Sequence, residues 1–352
     1  MSPSRLRRTA VPLLVAGLLA GACGHGRHQG EPPSTTPPTT SPTSVKPTEP
    51  RGGKLPLGTM TMGSTVTRCA PGQTCTLPFE VSCPHVRAAA RGNLVVVGPT
   101  GSPRGVVVIL LGGLAQGFEG VNRQFVSSLS SDGFEVVVLS WVDSWLQSSP
   151  GEQVGPKRLA CRAATAVRWT YDHLYQALGA PREGLGGCGF CLHGNSGGAS
   201  QTAYALSFYG LDDIVDAAIM SGGPPHAGLA AGCLQQDGYT FDTNSAHIID
   251  LSYGFPNGNG PCERHDATYR SHWDQDSVDV GGVYKYPRAR IAFVFVSGDP
   301  TVGPQHGMLY EAKLKKAKTP YLSVKDIAGN KHTIESLPNG RATLESELLA
   351  KS

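Results

Sequence analysis

The run Gly187-Cys188-Gly189-Phe190-Cys191-Leu192-His193-Gly194-Asn195-Ser196-Gly197-Gly198-Ala199-Ser200 passes from a short apolar strand into Gly-x-Ser-x-Gly. A helix-compatible segment, Thr202-Ala203-Tyr204-Ala205-Leu206-Ser207-Phe208, comes next. A strand that turns sharply into a helix forces strained dihedrals on the corner residue, here Ser196. Gly194 and Gly198 are then needed because neighbouring backbone must come close. The new helix aims its N-terminal amides at the corner, where an oxyanion would develop. Alone the pattern is weak: with 45 glycines in 352 residues, about 0.5 matches arise by chance. A glycine-rich surface turn reads the same way, so context decides.

Three further segments supply that context. Arg104-Gly105-Val106-Val107-Val108-Ile109-Leu110-Leu111 is a continuous apolar run suited to a parallel strand buried on both faces. It ends in Gly112-Gly113, where backbone N–H groups can turn toward a substrate oxygen. Arg288-Ala289-Arg290-Ile291-Ala292-Phe293-Val294-Phe295-Val296 reads as another buried strand, ending at Ser297-Gly298-Asp299-Pro300. Asp299 therefore falls at a C-terminal strand edge, where open α/β sheets gather functional groups. Tyr321-Leu322-Ser323-Val324-Lys325-Asp326-Ile327 reads as the last strand, and Gly329-Asn330-Lys331-His332 follows it. Separately these are a tight turn, an Asp-Pro turn and a loop histidine. Together, in the order Ser196, Asp299, His332, they argue for a catalytic triad.

On Gly194-Asn195-Ser196-Gly197-Gly198, Gly112-Gly113, Gly298-Asp299 and Gly329-x-x-His332, the chain resembles the α/β-hydrolase superfamily from about Leu57 to Leu349. The resemblance implies a serine hydrolase with Ser196 as nucleophile, His332 as proton shuttle and Asp299 as the acid that orients the imidazole. It implies an oxyanion hole of the Gly113 and Gly197 N–H groups, with Leu114 as the alternative to Gly113. The family's usual His-Gly before the oxyanion loop is Leu111-Gly112 here. Hydrolysis of neutral carboxylic esters through an acyl-enzyme is the expected activity. A serine peptidase or amidase of the same fold is one alternative; a surface binding protein without chemistry is another.

The amino terminus carries Arg5, Arg7 and Arg8 and then an apolar stretch from Ala10 to Ala22. That stretch is short for a membrane span and reads as an export signal, residues 1–22. Leu18-Leu19-Ala20-Gly21-Ala22-Cys23 resembles a bacterial lipobox, which implies a diacylglyceryl group on Cys23 and a cell-surface anchor. Ala20-Gly21-Ala22 also suits ordinary signal peptidase and free secretion. Residues 23–55, rich in Pro, Thr and Ser, lack the apolar content for a core and read as a tether. Residues 56–352 are long enough for one α/β domain.

Nine cysteines leave one over, and lipidation of Cys23 would leave eight to pair. Cys69 with Cys75, and Cys233 with Cys262, are the natural local pairs. Cys188-Gly189-Phe190-Cys191 could suggest redox or zinc chemistry, but such a pair should open a helix, and this one enters a strand. Strand residues three apart face opposite ways, so these two are expected to bond elsewhere, one of them to Cys161. Without the leader arginines the chain has 27 basic and 27 acidic residues. That balance gives no reason to expect a nucleic-acid partner.

Further strands are expected at Cys75–Val81, Leu94–Val97, Phe134–Leu139 and Ile214–Met220, with a helix over Pro156–Leu178. Strands alternating with helices predict a mostly parallel, doubly wound α/β sheet. Residues 222–287 break the pattern and are expected to form a lid over the site. Asp274-Gln275-Asp276-Ser277-Val278-Asp279 lacks EF-hand spacing, so neither a metal nor a cofactor is expected. Trp141 and Trp145 fit either an acyl pocket or the core.

Overall fold

A computed structural model describes residues 54–64, 68–116, 121–180 and 183–350. The leader, Cys23 and the tether as far as residue 53 lie outside the described residues. The described residues form nine strands: β1 (Thr59–Met62), β2 (Thr74–Ser82), β3 (Ala90–Val97), β4 (Gly105–Leu110), β5 (Phe134–Trp141), β6 (Phe190–Asn195), β7 (Ala217–Ser221), β8 (Arg290–Val296) and β9 (Leu322–Ile327). They form one sheet in the order β1-β2-β3-β5-β4-β6-β7-β8-β9. β1, β2 and β3 run antiparallel to their neighbours. The six strands from β5 to β9 are mutually parallel.

Every residue of β4, β5 and β8 is buried. Helices cover both faces of a parallel sheet, so its strands can be apolar throughout. β2 instead alternates buried and exposed residues, as expected of an antiparallel strand with one wet face. The direction of travel reverses at β4: the chain steps to β5 on one side, then to β6 and outward to β9 on the other. Right-handed crossovers therefore put Arg123–Ser131 on one face and the Gly197–Tyr209 and Gly303–Lys316 helices on the other. Such a reversal opens a crevice at the C-terminal strand ends.

The Pro156–Leu178 helix is present in pieces, Pro156–Leu159, Cys161–Thr170 and Gln176–Leu178, with a π-turn at Tyr171–Tyr175. Leu159, Ala163 and Val167 form its buried stripe. It packs against the Gly197–Tyr209 helix.

Four disulfides join Cys69 to Cys75, Cys83 to Cys161, Cys188 to Cys191 and Cys233 to Cys262. The expected bond from Cys161 to the Cys188/Cys191 pair is thus corrected. β6 begins only at Phe190, so Cys188 lies in the preceding loop and strand alternation does not govern it. Its Cα is 5.8 Å from that of Cys191, within bonding reach. Four disulfides belong to an oxidising environment. Among the described residues no helix is long and apolar enough to cross a membrane.

Residues 222–287 build an insert with a hydrophobic cluster of its own, including Leu229, Phe241, Ile249, Tyr253 and Trp273 around the Cys233–Cys262 bond. Its acidic residues act as struts. Asp250 accepts the N–H groups of Cys262 and Glu263, each at 2.9 Å. Burial outweighs these bonds and pushes the Asp250 carboxyl up to about 6. Asp276 accepts the Tyr253 hydroxyl at 2.8 Å, and Asp279 accepts the Gly228 N–H at 2.9 Å.

Candidate active site

Ser196 stands at the corner between β6 and the Gly197–Tyr209 helix with φ 56° and ψ −119°. A non-glycine residue there costs roughly 1–3 kcal/mol and persists only where its surroundings enforce it. The enforcement is visible. A Cβ on Gly194 would strike the Gly198 carbonyl, and one on Gly198 would strike the Leu110 carbonyl. The Ser196 N–H donates to the Ser221 carbonyl on β7 at 2.8 Å, which fixes the corner to the neighbouring strand.

Asp299 and His332 come from the loops after β8 and β9. Those loops are tied by Ser297 N–H to the Ile327 carbonyl (3.0 Å) and Gly298 N–H to the Gly329 carbonyl (3.1 Å). His332 Nδ1 lies 2.8 Å from Asp299 Oδ2 and 2.9 Å from the Thr301 hydroxyl oxygen. Thr301 gives both its N–H and its hydroxyl proton to Asp299 Oδ1, each at 2.8 Å. His332 Nδ1 therefore faces only acceptors and must carry the ring proton, leaving Nε2 with a free lone pair when neutral. Burial pushes the Asp299 carboxyl up, but the hydrogen bonds from His332 and from the Thr301 N–H outweigh it and hold the group below its ordinary value.

Ser196 and His332 line one cavity of about 420 Å³ together with Gly113, Gly197, Asn195 and His226. The serine hydroxyl and the imidazole are not hydrogen-bonded to each other. The far wall comes from the insert, through Phe241, Asp242, Asn244, Ser245, Ile248 and Ile249. Asp242 and Glu335 line the cavity, whereas among the described residues no Lys or Arg does.

The Gly112 carbonyl accepts the Ala115 N–H at 2.9 Å. In a trans peptide C=O and N–H point opposite ways, so this turn directs the Gly113 N–H outward. A side chain on Gly197 would lie 3.0 Å from that nitrogen, so the two glycines adjoin. The Gly197 N–H opens a helix and has no intrahelical acceptor. Trp145 Nε1–H donates to the Gly113 carbonyl at 3.4 Å, and Gln201 holds the Leu111 carbonyl at 3.0 Å. Trp141 donates to Gln201 at 3.3 Å. Both tryptophans are core, at most 1% exposed, and they brace this turn from behind.

Sequence reading missed Thr301, His226 and the pair His193–Glu335, and left Trp145 open between an acyl pocket and the core. His193, on β6, meets Glu335 at 2.6 Å, and Glu335 Oε2 is buried without a hydrogen-bond partner among the described residues. Thr301, two residues past Asp299, and Glu335, three past His332, carried a signal only in their nearness to the expected acid and base.

No family model matches the chain, and no curated protein matches it in sequence. Solved structures do. Acetyl xylan esterase 1 from Thermoanaerobacterium sp. JW/SL YS485 superposes with a TM-score of 0.52 at 9% identity, over 83% of this chain and 87% of that one. With the sheet order and the strained serine corner, this decides the architecture. The chain has the α/β-hydrolase fold. Carboxyl esterase 2 from Tuber melanosporum matches at 16% identity and TM-score 0.49, over 85% of this chain and 89% of that chain. A puromycin-hydrolyzing peptidase from Mycobacterium tuberculosis matches at 14% and 0.49, over 78% of this chain. The chain spans 45% of that peptidase's length.

Proposed function

We propose that this α/β-hydrolase chain is a serine hydrolase of neutral carboxylic esters. The observation that carries the reading is a serine held at positive φ on the rim of a cavity it shares with an imidazole already oriented by a carboxylate. His332 Nε2 takes the Ser196 hydroxyl proton as Oγ attacks the ester carbonyl. The Gly113 and Gly197 N–H groups receive the developing oxyanion, and Asp299 stabilises the imidazolium. The imidazolium then protonates the departing alcohol, leaving an acyl-serine. Water, deprotonated by the same imidazole, releases the acid and restores Ser196.

Neutral substrates are favoured because, among the described residues, two carboxylates and no Lys or Arg line the cavity. The insert is read as the lid of this site. A lipid anchor at Cys23, resting on Leu18–Cys23, belongs to the same proposal and would keep the enzyme at the cell surface. A fluorophosphonate probe should label the wild-type protein and not Ser196→Ala. No labelling, or turnover of amides ahead of matched esters, would overturn the esterase reading.

A further inference from the structure

His226 follows β7 and lines the cavity that holds Ser196, yet the steps above give it no part. It is only 3% exposed. Its ring stacks on Trp145 at 5.6 Å, and Tyr204 packs beside it at 6.0 Å. Its backbone N–H donates to the Ser200 hydroxyl at 3.2 Å, so the residue is rigidly placed over the first turn of the Gly197–Tyr209 helix. Nδ1 is sealed in the interior with no partner. Nε2 has no protein partner among the described residues either, but it is not sealed, and the open edge of the ring faces the cavity.

A neutral imidazole has one N–H and one bare lone pair. Burial, helped by the neighbouring His306, pushes the His226 pKa down to about 3, so the ring is neutral wherever the enzyme works. A buried N–H without an acceptor is the costlier orphan, so the bare lone pair belongs on Nδ1 and the proton on Nε2. Beside its polar side chains, the cavity then presents the N–H groups of Gly113 and Gly197 and the Nε2–H of His226. The reacting carbonyl oxygen occupies the first two. Among the described residues the acidic Asp242 and Glu335 line the walls and no Lys or Arg does, so an anionic oxygen is a poor match for the third.

We infer that His226 Nε2–H donates to a second, neutral oxygen of the substrate, so that the site selects esters bearing an ether, hydroxyl or further ester oxygen near the reacting carbonyl. The inference rests on the ester-hydrolase reading. Two near-isosteric pairs test it: methoxyacetyl against butyryl esters of one alcohol, and 2-methoxyethyl against butyl esters of one acid. For at least one pair, with the ratio divided by that of the same two esters in alkaline hydrolysis, the wild type should favour the oxygenated member by about 10-fold in kcat/KM. His226→Phe, which keeps the stacking and lacks the donor, should bring that ratio close to one. A wild-type ratio near one in both pairs overturns the inference. So does a preference that survives in His226→Phe while both rates fall together, the sign of a structural role. Should His226→Phe fail to fold, the ¹⁵N spectrum of the wild-type imidazole decides, because a neutral Nδ1–H tautomer between pH 5 and 8 leaves Nε2 without a proton and removes the donor. Fluorophosphonate labelling of the same samples separates the two readings. A labelled enzyme with ratios near one rejects His226 alone; an unlabelled one rejects the hydrolase and this inference with it.

Discussion

His193 Nε2 and Glu335 Oε1 meet at 2.6 Å across 142 positions of sequence. His193 lies three residues before Ser196, and Glu335 three after His332. The strand that presents the serine and the loop that presents the imidazole are thus fastened together below the cavity. Glu335→Gln should lower kcat by about 10- to 100-fold while KM stays nearly constant, because a small misplacement of the imidazole affects the transition state above all. Steady-state kinetics check this, and a change confined to KM would count against a positioning role.

The same pair should mark acid stability. Burial alone would push the Glu335 carboxyl up, but the hydrogen bond from His193 outweighs it and holds the group below its ordinary value of 4.5. The folded state therefore binds fewer protons than the unfolded one as this carboxyl titrates. Its stabilisation is complete above the unfolded value and is lost as pH falls through the lower, folded one. The Tm gap between wild type and Glu335→Gln should be widest above about pH 5 and narrow toward pH 3. Thermal unfolding of both proteins over that range measures it; a constant gap would refute the sign.

Removing the proposed nucleophile or base should be catastrophic for turnover. Ser196→Ala and His332→Ala should each cost about 10⁵- to 10⁶-fold in kcat, and Asp299→Asn about 10⁴-fold. Thr301→Val should cost less, since Asp299 remains within 2.8 Å of the imidazole without it. Near-normal ester turnover by Ser196→Ala would end the assignment.

Eight cysteines are paired in the fold, so the unreduced protein should offer none of these eight to an alkylating reagent in denaturant. The Cys83–Cys161 bond closes the longest loop, with a separation of 78 residues. The paired change Cys83→Ser and Cys161→Ser should cost about 4 kcal/mol of unfolding free energy by loop entropy. Mass analysis and denaturant titration test the two halves separately.

A cavity of about 420 Å³ with one wall in a disulfide-pinned insert leaves little room for a long acyl chain. Acetyl and butyryl esters should be cleaved in preference to octanoyl and palmitoyl esters. A clear preference for the palmitoyl ester would show that the wall moves aside.

The strands of the central sheet were legible because burial on both faces leaves an unbroken apolar run, as in Val106–Leu110 and Phe134–Leu139. β1 was not: Thr59-Met60-Thr61-Met62 is a half-exposed edge segment with no long apolar face. The serine corner could be read from its spacing, since the glycines answer to contacts within a few residues. His193, Glu335 and His226 could not, because their partners and the cavity they face arise only when distant strands assemble. The Cys188–Cys191 bond was misread through one boundary residue, a strand start placed too early.

The insert brings its own hydrophobic cluster and its own covalent tie, while the serine, the acid and the imidazole all hang from the sheet. Under the proposed function, selectivity and reactivity are therefore carried by separable parts of one polypeptide. The wall formed by Phe241, Ile248 and Ile249 is open to redesign, or to exchange for a foreign segment of matching ends. Such a graft would redirect which molecules enter and leave the reacting atoms where they are.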